Sequence, residues 1–212
     1  YLDLLRKLDI PAAFKKTFYY LSDEEKDFLD LFLERHGIAS EEQVVAIAPG
    51  GGESSKRRMF TKRWPVQNYI ELIQRLQRER SSRVILVGGP GDREVTNSVI
   101  QVCPNCIDAT DLSFGEMASI FRRCNLFLGN DSAPLHIAAS MGIHCIGIFG
   151  PTDPQQWAPL NQNSSFVVKP VECHPCLIDE RFPKCSHIRC LTSITVGDVW
   201  QQLESTKPYV KI

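Results

Sequence analysis

The amino-acid sequence predicts an α/β fold: a Rossmann-like, doubly wound parallel sheet over residues 43–212. Three observations predict it. Short apolar runs alternate with helical segments, strand then helix four times over, and a further strand closes the series. The runs are continuous rather than alternating, as in strands covered on both faces. Three of them end in glycine-rich or Asp-Ser turns, and in such sheets ligands bind outside the carboxyl ends of the strands.

Residues 1–42 read as a helical lead-in or interdomain segment. Leu2, Leu4, Leu5 and Leu8 form a short apolar stripe ending at Ile10-Pro11. A better helix begins at Ser22, which forms a capping box with Glu25. Phe28, Leu29, Phe32 and Leu33 repeat at helical spacing, and His36-Gly37 supplies a stop.

From residue 43 the pattern changes. Val44 to Ala48 is a buried-strand run closed by Pro49-Gly50-Gly51-Gly52, and a helix follows Pro65 with Tyr69, Leu72, Ile73 and Leu76 on one face. Val84 to Val87 is the second strand, with a helix from about Asp92 to Val102. A short strand at Ile107 to Ala109 precedes a helix from Ser113 to Phe121. Leu126 to Leu128 is followed by a small-residue helix from Pro134 to Met141, then by the strand Cys145 to Phe149. A last helix covers Val196 to Leu203.

Composition narrows the function. The chain has 212 residues, 24 Lys plus Arg against 25 Asp plus Glu, and 43% hydrophobic residues, values typical of a globular domain. A net charge of -1 argues against a general nucleic-acid binder, which carries a basic excess. No run of eighteen apolar residues predicts a membrane-spanning helix. The first residue is Tyr1 rather than Met, as expected of a fragment or a processed form.

The glycine turns carry the chemistry. After Pro49-Gly50-Gly51-Gly52 come Lys56, Arg57, Arg58, Lys62 and Arg63, with no acid among residues 56–63. Glycines let backbone N–H groups approach a ligand or adopt positive φ, and a basic cluster beside them suits an anion such as a diphosphate. A solvated basic loop is the other reading. Neither a P-loop nor a GxGxxG fingerprint is present. At Gly88-Gly89-Pro90-Gly91-Asp92, Asp92 is either a helix cap or an acceptor for ribose hydroxyls. In Gly129-Asn130-Asp131-Ser132-Ala133-Pro134-Leu135-His136, the helix start aims free N–H groups and a positive dipole end at the strand edge, which suits phosphate. Asp131 there caps the helix or binds sugar hydroxyls. His136, one turn in, is a structural histidine or a ligand contact.

These residues together resemble glycosyltransferase family 9, the bacterial ADP-heptose:lipopolysaccharide heptosyltransferases. The matching segments are Thr61-Lys62-Arg63-Trp64-Pro65, the turn from Gly88 to Asp92, the stretch from Gly129 to His136, Phe149-Gly150-Pro151-Thr152-Asp153-Pro154, and the run leading into Cys190-Leu191-Thr192-Ser193-Ile194. The resemblance covers about residues 43–205 and rests on their order and spacing. It implies the C-terminal, donor-binding half of a GT-B fold. By resemblance Lys62 contacts the diphosphate, Asp92 (in second place Glu94) lies near the ribose, Asp131 binds the sugar, and the Ser132 and Ala133 amides bind phosphate. The glycine loop at Gly50 and Gly51 and the helical His136 complete the nucleotide-binding set. The catalytic base, an Asp in the family, belongs to the N-terminal domain and has no counterpart here. The family usually has Gly where this chain has Ala133, and alanine does not favour positive φ.

The resemblance therefore implies the ADP-heptose-binding part of an inverting glycosyltransferase that builds the lipopolysaccharide inner core. The fragment alone is expected to be inactive. The donor is ADP-heptose or another nucleotide-sugar, with no cofactor required and no nucleic-acid partner. The acceptor is the lipopolysaccharide core, held by the other domain, which implies a cytoplasmic protein peripheral to the inner face of the membrane. A non-catalytic ADP-sugar or nucleotide-binding module on the same fold is the alternative.

Eight cysteines complete the reading. Cys124 and Cys145 sit in apolar segments and read as buried thiols, and Cys103 and Cys106 form a lone CxxC without thioredoxin-like context. Cys173, Cys176, Cys185 and Cys190 are spaced C-x2-C-x8-C-x4-C, with His174 and His187 among them. Four thiolates can hold a tetrahedral zinc. Packed reduced thiols or two disulfides are the alternatives.

Overall fold

A computed structural model describes residues 2–11, 16–51, 53–54, 57–58, 60–176, 185 and 187–206. Two helices, α1 (Leu2–Lys7) and α2 (Asp23–His36), precede the first strand, β1 (Val44–Ala48). A short antiparallel hairpin follows, β2 (Glu53–Ser54) with β3 (Arg57–Arg58). Then come α3 (Val66–Arg80), β4 (Arg83–Gly88), α4 (Arg93–Val102), β5 (Ile107–Thr110), α5 (Phe114–Arg123), β6 (Leu126–Asn130), α6 (Ala133–Ser140) and β7 (His144–Phe149). The chain continues through α7 (Pro154–Trp157), β8 (Ser164–Val168), α8 (Arg189–Thr192) and α9 (Val196–Ser205).

Six strands form one sheet in the order β5-β4-β1-β6-β7-β8, with every pairing parallel. The predicted α/β class and parallel sheet are therefore present. The sequence pattern predicted five strands; the sixth, β8, pairs with β7 along Cys145 to Phe149.

The continuous apolar runs work as expected of strands covered on both faces. In β1, Val45 and Ile47 join one core cluster with Tyr69, Leu72, Ile73 and Leu76 of α3 and Val199 and Trp200 of α9. Val44, Ala46 and Ala48 join the other, with Phe32 of α2, Ile120 and Phe121 of α5 and Leu135 and Ala138 of α6. Fully burying one such Leu, Ile or Val contributes roughly 1.5–3 kcal/mol, so the two layers hold the sheet without cross-links.

The Ser22–Glu25 capping box forms in both directions, and α2 ends at Gly37, whose φ of 58° is left-handed. Phe32 and Ile38 enter the same core layer as α5, against which α2 packs. The expected stripe of α1 does not bury: Leu4, Leu5 and Leu8 are exposed. Among the described residues no helix is long and apolar enough to cross a membrane.

The chain runs from β1 outward through β4 to β5, then returns to the other side of β1 with β6. The strand order reverses at β1, and the loops after its two neighbours diverge there. That is where open α/β sheets leave a crevice for ligands.

Candidate functional site

A cleft of about 660 Å³ opens at the carboxyl ends of β1, β4, β5 and β6. Gly51, Lys62, Gly89 to Asp92, and Asp131 to Pro134 line it. Its remaining wall is Leu112, Ser113, Phe114 and Met117, from the turn after β5 and the start of α5.

The glycine loop is shaped from below. Asn130, fully buried at the end of β6, donates through Nδ2 to the carbonyls of Pro49 at 3.1 Å and Gly50 at 2.8 Å. Its Oδ1 accepts the Trp64 N–H at 3.0 Å. The Trp64 indole donates to the Ile194 carbonyl at 2.8 Å and meets Tyr69 edge-on. A buried amide with these bonds fixes the Pro49-Gly50 loop and the Lys62–Trp64 segment relative to each other. Gly50 serves by its missing Cβ, which would enter the Asp92 carboxyl group. Positive φ is not involved: among described residues only Gly37 and Gly142 are glycines with it.

Lys62 and Asp131 meet across this frame. The Lys62 ammonium lies 2.6 Å from Asp131 Oδ2 and 5.9 Å from the centre of the Trp157 ring. Asp131 is buried, and its Oδ2 also accepts the Thr152 hydroxyl at 2.7 Å. The cap reading for Asp131 does not hold, because Ser132 occupies the N-cap of α6 and no side chain caps that end. No side chain takes the Ala133 amide at the cleft wall, Pro134 carries no N–H and the Leu135 N–H bonds the Ser132 carbonyl, while the positive end of the helix dipole lies behind them. Ala133 sits in that first turn and is not among the described non-glycine residues with positive φ. The methyl group of Ala133 thus meets no left-handed backbone here.

Asp92 is buried, lines the cleft and differs from one of its two expected roles, the helix cap. Its carboxylate makes no cap to α4. Oδ2 accepts the Gly89 N–H at 3.2 Å and Oδ1 accepts Arg63 at 3.0 Å, while the same guanidinium reaches the Gly91 carbonyl. Arg63 and Asp92 lock the Gly89–Asp92 turn, and Arg63 also stacks over Phe60 at 4.8 Å.

Of the residues predicted from sequence, Gly51, Lys62, Asp92, Asp131, Ser132 and Ala133 share this one cleft, and Gly50 lies beneath it. His136 does not line it. It is an exposed residue, and desolvation by its surroundings lowers its pKa. Lys62 adds to that lowering and Asp131 opposes it. Lys56 and Gly52 lie outside the described residues. Asn130, Thr152 and the apolar wall were not singled out by sequence as site residues, and Arg63 stood out only as part of the basic cluster, not as the partner of Asp92. Asn130 and Thr152 carried a signal as polar residues at the ends of apolar strands.

The cysteines are all unbridged, so the disulfide reading of the late cluster does not hold. Cys190 is buried, and its thiol is pushed up to about 11, first by burial and then by Cys176, Cys185 and Cys173. Among the described residues no three His, Cys, Asp or Glu side chains come together to hold a metal ion. Burial pushes Cys106, Cys124 and Cys145 up to about 12 and raises Cys103, which leaves them as inert thiols.

The chain is similar to known proteins. Residues 2–186 match the family model for glycosyltransferase family 9 (heptosyltransferase). Lipopolysaccharide heptosyltransferase 3 of Escherichia coli is 33% identical over 167 residues, covering 76% of this chain and 46% of that protein. The crystal structure of a family 9 glycosyl transferase from Veillonella parvula has a TM-score of 0.78 at 21% identity, covering 96% of this chain and 57% of that one. The E. coli heptosyltransferase WaaC with ADP-2-deoxy-2-fluoro heptose has a TM-score of 0.60 at 18% identity, covering 94% and 52%. The chain spans about half the length of the curated relatives it matches. With a family model matched along most of its residues and a parallel sheet that carries the family's turns to one cleft, the chain belongs to glycosyltransferase family 9, the heptosyltransferases.

Proposed function

We propose that this chain is the donor-binding part of an inverting glycosyltransferase that moves heptose from ADP-heptose to the inner core of lipopolysaccharide. The observation that carries the reading is the convergence of Lys62, the open N-terminus of α6 and the Gly50-Gly51 loop on one cleft. An ammonium and a helix start whose leading amides no side chain caps form an anion site of the kind that holds a diphosphate. A carboxylate beside them, Asp131, is an acceptor for sugar hydroxyls. The ligand named for the WaaC structure is an analogue of such a donor.

In this reading an acceptor hydroxyl attacks the anomeric carbon from the side opposite the nucleotide, and ADP leaves with inversion. Lys62 and the amides of Ser132 and Ala133 stabilise the charge that grows on the leaving diphosphate. They supply the positive charge, so the reading calls for no metal or other cofactor. Residues 43–212 act as the donor-binding unit, with 1–42 as the segment leading into it. The base and the acceptor site belong to the part of the enzyme outside this chain, so the chain alone transfers nothing. A lipid-anchored acceptor brings the complete enzyme to the inner face of the cytoplasmic membrane as a peripheral protein.

Calorimetric titration with ADP-heptose, other ADP-sugars and UDP-sugars tests the reading. ADP-heptose is expected to bind most tightly. Tighter binding of a UDP-sugar, or binding of ADP and ADP-sugars with no response to the sugar, overturns it. The second outcome would favour a nucleotide-binding module.

A further inference from the structure

We infer that Thr152 is a positioning residue for Asp131, holding that carboxylate in place when Lys62 turns to a bound diphosphate. The inference rests on the proposed role of Asp131 at the donor sugar. Three facts carry it. First, Lys62 and Thr152 bind the same oxygen, Oδ2 of Asp131, at 2.6 and 2.7 Å. Second, they differ in freedom. Lys62 has a long stem and lines the cleft, whereas Thr152 is fully buried and outside it. Third, the backbone of Thr152 is itself held. Its carbonyl lies 3.3 Å from Nε2 of His174, and the preceding Pro151 carbonyl accepts the Cys176 N–H at 2.9 Å.

In this structure the Lys62 charge is spent on Asp131. An anion with two phosphates at the start of α6 competes for that ammonium. When Lys62 leaves, a buried carboxylate loses its strongest partner, and a buried carboxylate left without donors does not hold its position. The Thr152 hydroxyl has no route to the ligand and stays. It keeps Oδ2 bonded, which holds the carboxylate in place and leaves its other oxygen for sugar hydroxyls. Lys62 and Asp131 thus separate on binding, one serving phosphate and one serving sugar, and Thr152 makes the separation tolerable.

The test compares Thr152→Val, which keeps the shape and removes the hydroxyl, with Thr152→Ser, which keeps the hydroxyl. Calorimetry measures the affinity of each for ADP and for ADP-heptose, and melting curves measure folding. The expected result for Thr152→Val is an ADP affinity within about twofold of wild type. Its ADP-heptose affinity should fall about tenfold or more, the size of one lost hydrogen bond to a charged group. Thr152→Ser is expected to restore the ADP-heptose affinity. Wild-type preference for ADP-heptose in folded Thr152→Val overturns the inference. Equal loss of both ligands in both variants also overturns it, since that marks a purely structural role. If Thr152→Val does not fold, Thr152→Ala replaces it under the same criteria. Asp131→Asn separates the two levels: if it leaves the ADP-heptose preference intact, the sugar-binding role of Asp131 fails. If it abolishes the preference while Thr152→Val keeps it, only the positioning role fails.

Discussion

Gly50 and Asp92 compete for the same space. The carboxyl group of Asp92 sits where a side chain on Gly50 would begin, and there it receives Arg63 and the Gly89 amide. A loop after β1 and a turn after β4 are thereby pressed together, with a buried ion pair behind them.

Gly50→Ala is therefore expected to push Asp92 off its partners. Overpacking of this kind costs about 1–3 kcal/mol. Thermal melting should report the loss, and ADP affinity should fall with it because the cleft wall moves. Asp92→Gly in the same chain should relieve part of the clash, so the two changes should not add.

Lys62→Ala is expected to weaken ADP binding by roughly 1.5–3 kcal/mol, the value of a hydrogen bond to a charged group. The melting temperature should change less, because Thr152 still bonds Asp131 in the empty site. Calorimetry with ADP beside a melting curve checks both halves.

Tyr69 predicts the opposite sign. It is fully buried, and its hydroxyl has no hydrogen-bond partner among the described residues. Burial holds the phenol well above its usual pKa, so it stays neutral. A buried hydroxyl without a partner carries a desolvation penalty, so Tyr69→Phe should leave stability unchanged or raise it by about 1 kcal/mol. The edge-on contact with Trp64 survives the change. A clear drop in denaturant midpoint would show that the hydroxyl has a partner in solution.

His144 should make the fold acid-sensitive. Both of its ring nitrogens are buried without hydrogen-bond partners among the described residues, and burial lowers its pKa. In the unfolded chain a histidine takes up a proton near pH 6.5, while the folded protein resists it. Stability should therefore hold above that pH and fall as pH drops toward the lower folded value. His36 and His136 are shifted the same way. His144→Leu isolates one share: its melting temperature should decline less than wild type between pH 7 and pH 5.

The parts of this fold that sequence displayed were those with local causes. Val44 to Ala48 and Val84 to Val87 read as strands because every side chain is apolar and each face has its own cover. The edge strand β8 escaped because it starts Ser164-Ser165 and depends on register with β7. The same division holds at the site. Lys62, Asp92 and Asp131 stood out by type beside glycine turns, yet their partners are set by the fold. Lys62 and Asp131 lie 69 residues apart, and Arg63 and Asp92 lie 29 apart. The apolar wall at Leu112, Phe114 and Met117 had no signal. It faces the cleft only because β5 lies beside β4, which is a property of strand order.

The bond between the Trp64 indole and the Ile194 carbonyl also has a bearing on synthesis. The two residues are separated by 130 positions. A ribosome adding about 5–20 residues per second takes roughly 7–26 s to cover that distance. For that time the glycine loop and its basic flank have been made while the anchor that seats Trp64 has not. The nascent chain carries an unseated tryptophan beside a cluster of cations until the turn at Ile194 is made. The Lys62–Trp64 segment thus takes its final place at a late stage in the life of the chain, after the last strand and the turn at Ile194 have closed over the sheet.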